Sequence, residues 1–239
     1  MSKEAQSVGD NIHLQKGEWR FSGEVPQYFG QHVRRSVPLY DETHQLILAI
    51  SDQCVRGSDR VYDVGCSTGT LTRLLAEKHA DKAIQVVGVD AEPDMIAAAE
   101  KATPHSSVSY VAAQVQDFTF ESCGLVVACF TLQFSAVSSR AETIQGIYNA
   151  LRPGGIFVLT EKVEFETVSE QALQTALYYS YKRRQGYTEA EIAAKAASLD
   201  GVMHPVTEQQ NIEWLQRAGF SRVQRFMQHS CFCGWLAVK

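Results

Sequence analysis

From residue 60 onward the apolar positions alternate between two rhythms. Arg60–Val64 (RVYDV), Gln85–Asp90 (QVVGVD), Val108–Ala112 (VSYVA), Leu125–Phe130 (LVVACF) and Ile156–Thr160 (IFVLT) are short apolar-rich runs that read as five strands. Helical stripes lie between them. Leu71, Leu74 and Leu75 share one face, and Met95, Ile96 and Ala99 share another behind Pro93, which suits a first helical turn. Ile144, Ile147, Tyr148 and Leu151 keep the spacing of a buried helical face, and RPGG at 152–155 stops that helix. Strands alternating with helices predict parallel βαβ units wound into one sheet. Runs without polar alternation, such as LVVACF, fit a sheet covered on both faces.

The rhythm changes outside this stretch. Residues 24–56 look helical, and 166–200 read as two helices. The first carries a stripe of Leu173, Ala176, Leu177 and Tyr181; the second opens on the capping box Thr188–Glu191. Thr207 with Gln210 repeats that signal, and Gly219 closes the helix that follows. Arg222–Lys239 reads as a two-stranded hairpin. The expected architecture is α/β: a doubly wound, mostly parallel, seven-stranded Rossmann-like sheet. A helical cap over 1–56 precedes it, and the domain over 57–239 carries a helical insertion at about 164–206.

The chemistry concentrates in Asp63-Val-Gly65-Cys66-Ser67-Thr-Gly69, a turn between strand and helix. Backbone N–H groups converge on a ligand there. Gly65 permits the tight turn and Gly69 lets the helix come close. Asp90 and Ala91 end the second strand, where a carboxylate can accept both hydroxyls of a ribose. A dinucleotide needs glycine where Ser67 stands, and a carboxylate at Asp63 repels a pyrophosphate. That carboxylate instead suits the ammonium and sulfonium of S-adenosylmethionine or a derivative. The plainer reading is a doubly wound domain with an unrelated or lost ligand. Gln114, beside Val115 after the third strand, can accept a hydrogen bond from an adenine amino group, or is a solvated loop residue. Phe118 covers the adenine or belongs to the core.

Composition narrows the rest. The chain has 239 residues with 22 Lys plus Arg against 27 Asp plus Glu, a net charge of −5, which gives no electrostatic footprint for nucleic acid. The longest apolar run, Leu125–Phe130, is far short of the roughly 20 residues of a membrane span, and the polar N-terminus has no signal core. A cytoplasmic protein without membrane contact is expected. Six cysteines, none in a CxxC pair, are expected to be reduced core residues. His229, Cys231 and Cys233 alternate as on one strand face but lack a nearby fourth ligand, so packing rather than a metal site is expected.

Five segments together resemble the carboxy-S-adenosylmethionine synthase family, within the class I S-adenosylmethionine-dependent methyltransferases. They are RSVPLY at 35–40, YDVGCSTGT at 62–70, FTLQF at 130–134, Thr160-Glu161-Lys162 with Phe165-Glu166, and Lys182-Arg183 through Gly186-Tyr187. The likeness runs from about Trp19 to Lys239. It implies the class I fold, a homodimer, and formation of carboxy-S-adenosylmethionine from S-adenosylmethionine and prephenate for modification of a tRNA wobble uridine. It also implies cofactor contacts from Tyr40 and from the position of Cys129. Three departures stand out: Ala196 where the family's Arg holds the product carboxylate, Cys129 where it has Asn, and Gln114 where it has an acid. A methyl group cannot replace a bidentate guanidinium.

The leading expectation is therefore methyl transfer from S-adenosylmethionine, or a bound S-adenosylhomocysteine product, to a small-molecule acceptor. The synthase reaction is the first alternative. A non-catalytic cofactor-binding subunit of a modification complex is the second. Tyr40, His44 and Glu161 are the expected catalytic residues, with His32 a further candidate base. Arg34 and Arg35 hold an anionic substrate or pair on the surface. Tyr178, Tyr179, Tyr181 and Tyr187 line a pocket, form a dimer contact or pack the insertion.

Overall fold

The computed structural model describes residues 5–102 and 106–239. Residues 1–4 of the expected cap lie outside the described residues. In chain order the elements are β1 (Gln6–Ser7), β2 (His13–Leu14), α1 (Val25–Ser36), α2 (Tyr40–Cys54), β3 (Arg60–Val64), α3 (Thr70–Lys78), β4 (Gln85–Asp90), α4 (Pro93–Ala102) and β5 (Val108–Ala112). They continue with β6 (Cys123–Cys129), α5 (Val137–Ala150), β7 (Leu151–Glu164), α6 (Val168–Arg184), α7 (Glu189–Ser198), β8 (Val206–Thr207), α8 (Glu208–Ala218), β9 (Arg222–His229) and β10 (Phe232–Val238).

The main sheet runs β5-β4-β3-β6-β7-β10-β9, with β8 beside the far end of β7. β5, β4, β3, β6 and β7 are mutually parallel, and β10 runs antiparallel to both β7 and β9. The doubly wound, mostly parallel sheet of seven strands is as expected. The winding reverses between β3 and β6, so a crevice opens beyond their carboxyl ends, where such sheets bind ligands.

Strand alternation sends side chains to two cores. Leu125 and Val127 of β6 meet Ile47, Leu71 and Leu75 from α2 and α3. Val126 and Ala128 meet Ile144, Ile147 and Leu215 from α5 and α8. Both faces are buried, which is why LVVACF carries no polar alternation.

Four details differ from the sequence expectation. The start of the cap is not helical: β1 and β2 pair antiparallel through a turn in which Gly9, Asp10 and Asn11 all have positive φ. β7 starts at Leu151, absorbs RPGG and continues to Glu164, with a register shift against β6 between Cys123 and Leu125. The α6 stripe is not buried: Val168 is 89% exposed, Leu173 58% and Leu177 49%, while Lys182 on the opposite side is buried. The helix period identifies an apolar face but not its occupant. Finally, His229 ends β9, Ser230 turns the chain at φ 52° and Cys233 lies in β10, so the three tail residues do not share one strand. All six cysteines are free, five of them buried. No helix among the described residues is long and apolar enough to cross a membrane.

Candidate cofactor and substrate cavity

The glycine turn forms because β3 must end against β4. The N–H groups of Gly65 and Cys66 both donate to the Val89 carbonyl, at 2.7 and 3.1 Å. Gly65 has φ 70°, and a Cβ there would sit 2.1 Å from Thr131 Oγ1. Thr131 Oγ1 itself donates to the Val64 carbonyl at 2.9 Å, so the loop after β6 lies directly on the turn. Ser67, at φ 49°, donates its N–H to the Asp90 carboxylate at 2.8 Å, and Glu92 N–H donates to the other oxygen at 2.9 Å. Asp90 is thereby aimed before any ligand arrives.

A cavity of about 410 Å³ opens above this turn, a volume suited to a small molecule. Asp63, Gly65, Cys66, Ser67, Asp90 and Ala91 form one wall, with Gln114, Val115 and Cys129 from the ends of β5 and β6. Asp63 accepts from Thr72 Oγ1 at 2.6 Å, and burial pushes its pKa up to about 6, with the Asp90 charge adding to the rise. A buried carboxylate in that condition gains from a cation placed beside it. Burial also lifts both thiols, Cys66 well above the usual range and Cys129 to about 12. They are neutral wall groups rather than nucleophiles.

The opposite wall comes from four separate segments. Trp19, Arg20 and Phe21 arrive from the N-terminal strap, Tyr40 and His44 from α2, Lys162 from β7, and Lys182, Lys195 and Ala196 from the insertion. The Tyr40 and His44 rings lie 4.3 Å apart. Burial raises the Tyr40 phenol far above its usual value and lowers His44 to about 4, so both are uncharged at neutral pH.

Comparison with known proteins gives this cavity its ligand. A family model described as a methyltransferase domain matches residues 61–155. A carboxy-S-adenosyl-L-methionine synthase of Shewanella amazonensis is 36% identical over 228 residues, covering 94% of each chain. One from Staphylococcus epidermidis is 32% identical and covers 93% of this chain and 97% of its own. The chain belongs to the carboxy-S-adenosyl-L-methionine synthase family. Solved structures bear out the fold. The methyltransferase SibL has TM-score 0.60 at 19% identity, covering 89% of this chain and 57% of its own. The magnesium protoporphyrin IX methyltransferase of Synechocystis, with bound S-adenosylhomocysteine, has TM-score 0.56 at 16% identity, covering 84% and 83%.

Like its family, the chain is an S-adenosylmethionine-dependent transferase. The residues present fit that cofactor. Asp63 is a buried acid in need of a cation, Asp90 is an oriented acceptor pair, and any side chain at Gly65 would fill the cradle.

The cavity gathers every residue expected to bind cofactor except Gly69. Gly69 stands behind the turn at φ 77°, where a Cβ would meet the Tyr110 hydroxyl at 2.3 Å and Ala99 at 3.0 Å. Its role is helix approach. Phe118 is core, edge-on to Tyr62 and Phe120. Glu161 points away from the cavity. It accepts the Leu132 N–H at 3.0 Å and also takes the N–H groups of Thr131 and Gln133, while burial pushes its pKa up to about 8 against the opposing Arg140 charge. His32 lines the cavity, but its Nδ1 meets Asp10 at 2.9 Å and its ring stacks on Trp19. Arg34 pairs with Asp41, and Arg35 holds Asp10 and the Gln185 carbonyl, so neither faces a substrate. Tyr178 and Tyr179 line the cavity, whereas Tyr181 and Tyr187 bond the insertion to α1. Sequence reasoning missed Arg20, which lies in a segment without periodicity, and gave no role to Lys162, quoted only within a matching segment and lying inside β7.

Two outcomes follow from this geometry. Asp90→Ala removes an oriented acceptor pair, and titration calorimetry should show S-adenosylhomocysteine binding weakened by about 2 kcal/mol or more. Undiminished affinity would contradict the ribose assignment. The second concerns pH. The unfolded chain protonates His44 near the ordinary 6.5, but burial delays this in the folded chain to about 4. The unfolded state therefore binds more protons between those values, and stability falls as pH drops through that window. Urea unfolding should show a loss of about 2 kcal/mol from this residue between pH ~7 and ~5. His44→Asn should shrink the wild-type loss by about that amount.

Proposed function

We propose that this chain transfers the methyl group of S-adenosylmethionine to a small-molecule acceptor, working as a cytosolic homodimer. The observation that carries the reaction is Ala196. It lines the cavity where the family resemblance implies a guanidinium for a carboxylated cofactor, and it offers only a methyl group. Bound S-adenosylmethionine would supply an electrophilic methyl for in-line attack by the acceptor, with S-adenosylhomocysteine as the leaving group. Asp63 steadies the positive amino-acid end of the cofactor, and Asp90 fixes the ribose. Placement of both reactants supplies much of the rate. His44 is the base: its imidazole is neutral, its Nδ1 is buried without a partner, and Nε2 is the nitrogen left to take the acceptor's proton. Tyr40, held un-ionised by burial, acts as a hydrogen-bond donor.

The synthase reaction is the second reading. It is favoured by 36% identity across nearly the whole chain to a protein of that name and by the retained Tyr40. One assay separates the two. Protein incubated with S-adenosylmethionine and prephenate should leave the cofactor mass unchanged, and a gain of one carboxyl group on the cofactor would overturn methyl transfer in favour of the synthase.

The homodimer reading draws on the exposed apolar face of α6, where Val168, Leu173 and Leu177 lie open in the single chain. Light scattering at micromolar concentration should give twice the 26.5 kDa chain mass, and Leu173→Lys with Leu177→Lys should give monomer. A monomeric wild type removes the proposal.

A further inference from the structure

The cavity is electrically divided. Asp63, Asp90 and Glu92 stand at the cofactor turn. Four basic residues line the remaining wall: Arg20, Lys162, Lys182 and Lys195, with burial disfavouring the charged forms of Lys182 and Lys195. Among the described residues, the side-chain nitrogens of these four make no hydrogen bond and no ion pair. Three lie over aromatic rings instead: Lys162 over Tyr178, Lys182 over Tyr187 and Lys195 over Trp19. Asp10, whose charge reaches Lys182 and Lys195, is already engaged by Arg35, His32 and Tyr187. Lys182 is 2% exposed and Lys195 8%. Buried ammonium groups without an anion are costly, and such a cost is kept where a ligand relieves it.

Arg20 differs from the lysines in being exposed at the cavity rim. Its place is set by the backbone beside it. Gly17 N–H donates to the Ala197 carbonyl and Trp19 N–H to the Ser198 carbonyl, each at 3.0 Å. The strap is thus stitched to the last turn of α7, and Arg20 emerges on the same wall as Ala196. A guanidinium there presents paired N–H groups suited to a carboxylate.

We propose that Arg20, backed by Lys182 and Lys195, forms a carboxylate-binding subsite for the second ligand of this cavity, with Arg20 as the specificity-determining residue. This rests on the transferase reading above. The carboxylate has two possible carriers: a free organic acid bound beside the cofactor, or the cofactor itself in carboxylated form. Methyl transfer calls for the first and the synthase reaction for the second.

The test uses the full chain and titration calorimetry. S-adenosylhomocysteine is titrated first into wild type, Arg20→Gln and Arg20→Lys, with equal affinities expected. If wild type fails to bind it, the transferase reading falls, and the carboxylate arms are read on the cofactor-free protein, so the two failures stay distinct. In one arm, prephenate, phenylpyruvate and the neutral methyl ester of phenylpyruvate are titrated into protein saturated with S-adenosylhomocysteine. In the other, carboxy-S-adenosylmethionine is compared with S-adenosylmethionine. In at least one arm, wild type should bind the carboxylate form more tightly than the counterpart lacking that carboxylate, and Arg20→Gln should weaken that form tenfold or more. Arg20→Lys should recover part of the loss, and Lys182→Met should weaken the same ligand. The arm that responds names the carrier. The proposal is overturned if no carboxylate form is preferred by wild type, or if Arg20→Gln binds every carboxylate form within tenfold of wild type.

Discussion

The structure depends on one buried carboxylate. Glu161, at the far end of β7, takes the backbone N–H groups of residues 131–133 and so fixes the loop that follows β6. Left alone, such a loop would carry unsatisfied donors into the interior. Held by Glu161, it places Thr131 over Gly65, and that contact leaves no room for a side chain at the turn. The same loop turns Gln133 back toward the strand, where its side-chain oxygen accepts the Lys162 N–H at 2.7 Å. Arg140, itself buried, donates to the carbonyls of Gln133, Ser135 and His204 and sets a positive charge against the carboxylate. The acid floor and one post of the basic wall are therefore positioned by a residue that reaches neither ligand. Expected from sequence to act in catalysis, Glu161 holds the cavity in shape.

What could be read in the sequence was what is local. Five strands and the caps at Thr188, Thr207 and Gly219 each depend on side chains a few residues apart, and each appears in the fold, while the helix expected to reach RPGG ends at Ala150 and Leu151 opens β7. The glycine turn was legible because φ above zero at Gly65 and a carboxylate two residues ahead are properties of seven consecutive residues. The direction of a side chain at a strand end was not. Glu161 follows Thr160 as a free acid would, and only the closing of β6 on β7 shows that it faces backbone. The stripe on α6 was legible as apolar, but its exposure was not, because periodicity carries no information about what lies opposite. The strap before α1 offered no pattern at all. Its course is set by Asp10, Gly17 and Trp19 bonding to helices that come later in the chain.

The division of charge in the cavity gives those separate elements a common purpose. S-adenosylmethionine brings a sulfonium and an ammonium, and Asp63, Asp90 and Glu92 make the field at the turn negative, where charge is weakly screened. The same field would repel an anionic second ligand if it filled the cavity. Under the proposal above, the basic residues of the facing wall would reverse the sign over the space that such a ligand occupies. Aromatic faces under three of the lysine nitrogens offset part of the desolvation, which still pulls Lys182 down to about 8 and Lys195 well below the usual lysine value.

Where the guanidinium is carried then matters as much as its presence. A residue at position 196 would be fixed by α7, a helix of ten residues with a capping box at its start. Arg20 is fixed by a strap held through two backbone bonds and the cluster around Asp10. Strap and helix share one apolar cluster, in which Val8, Ile12 and Trp19 meet Ala194. Displacement of the strap moves Trp19 and Arg20 together, one a platform for Lys195 and the other the free end of the basic wall. Under the proposal above, a guanidinium carried by the strap at Arg20, with only a methyl group at Ala196, would place control of the second ligand in the N-terminal segment rather than in the insertion. The cofactor turn is untouched by that placement, since no strap residue bonds to it among the described residues, and recognition of the second ligand can diverge while the use of S-adenosylmethionine is kept.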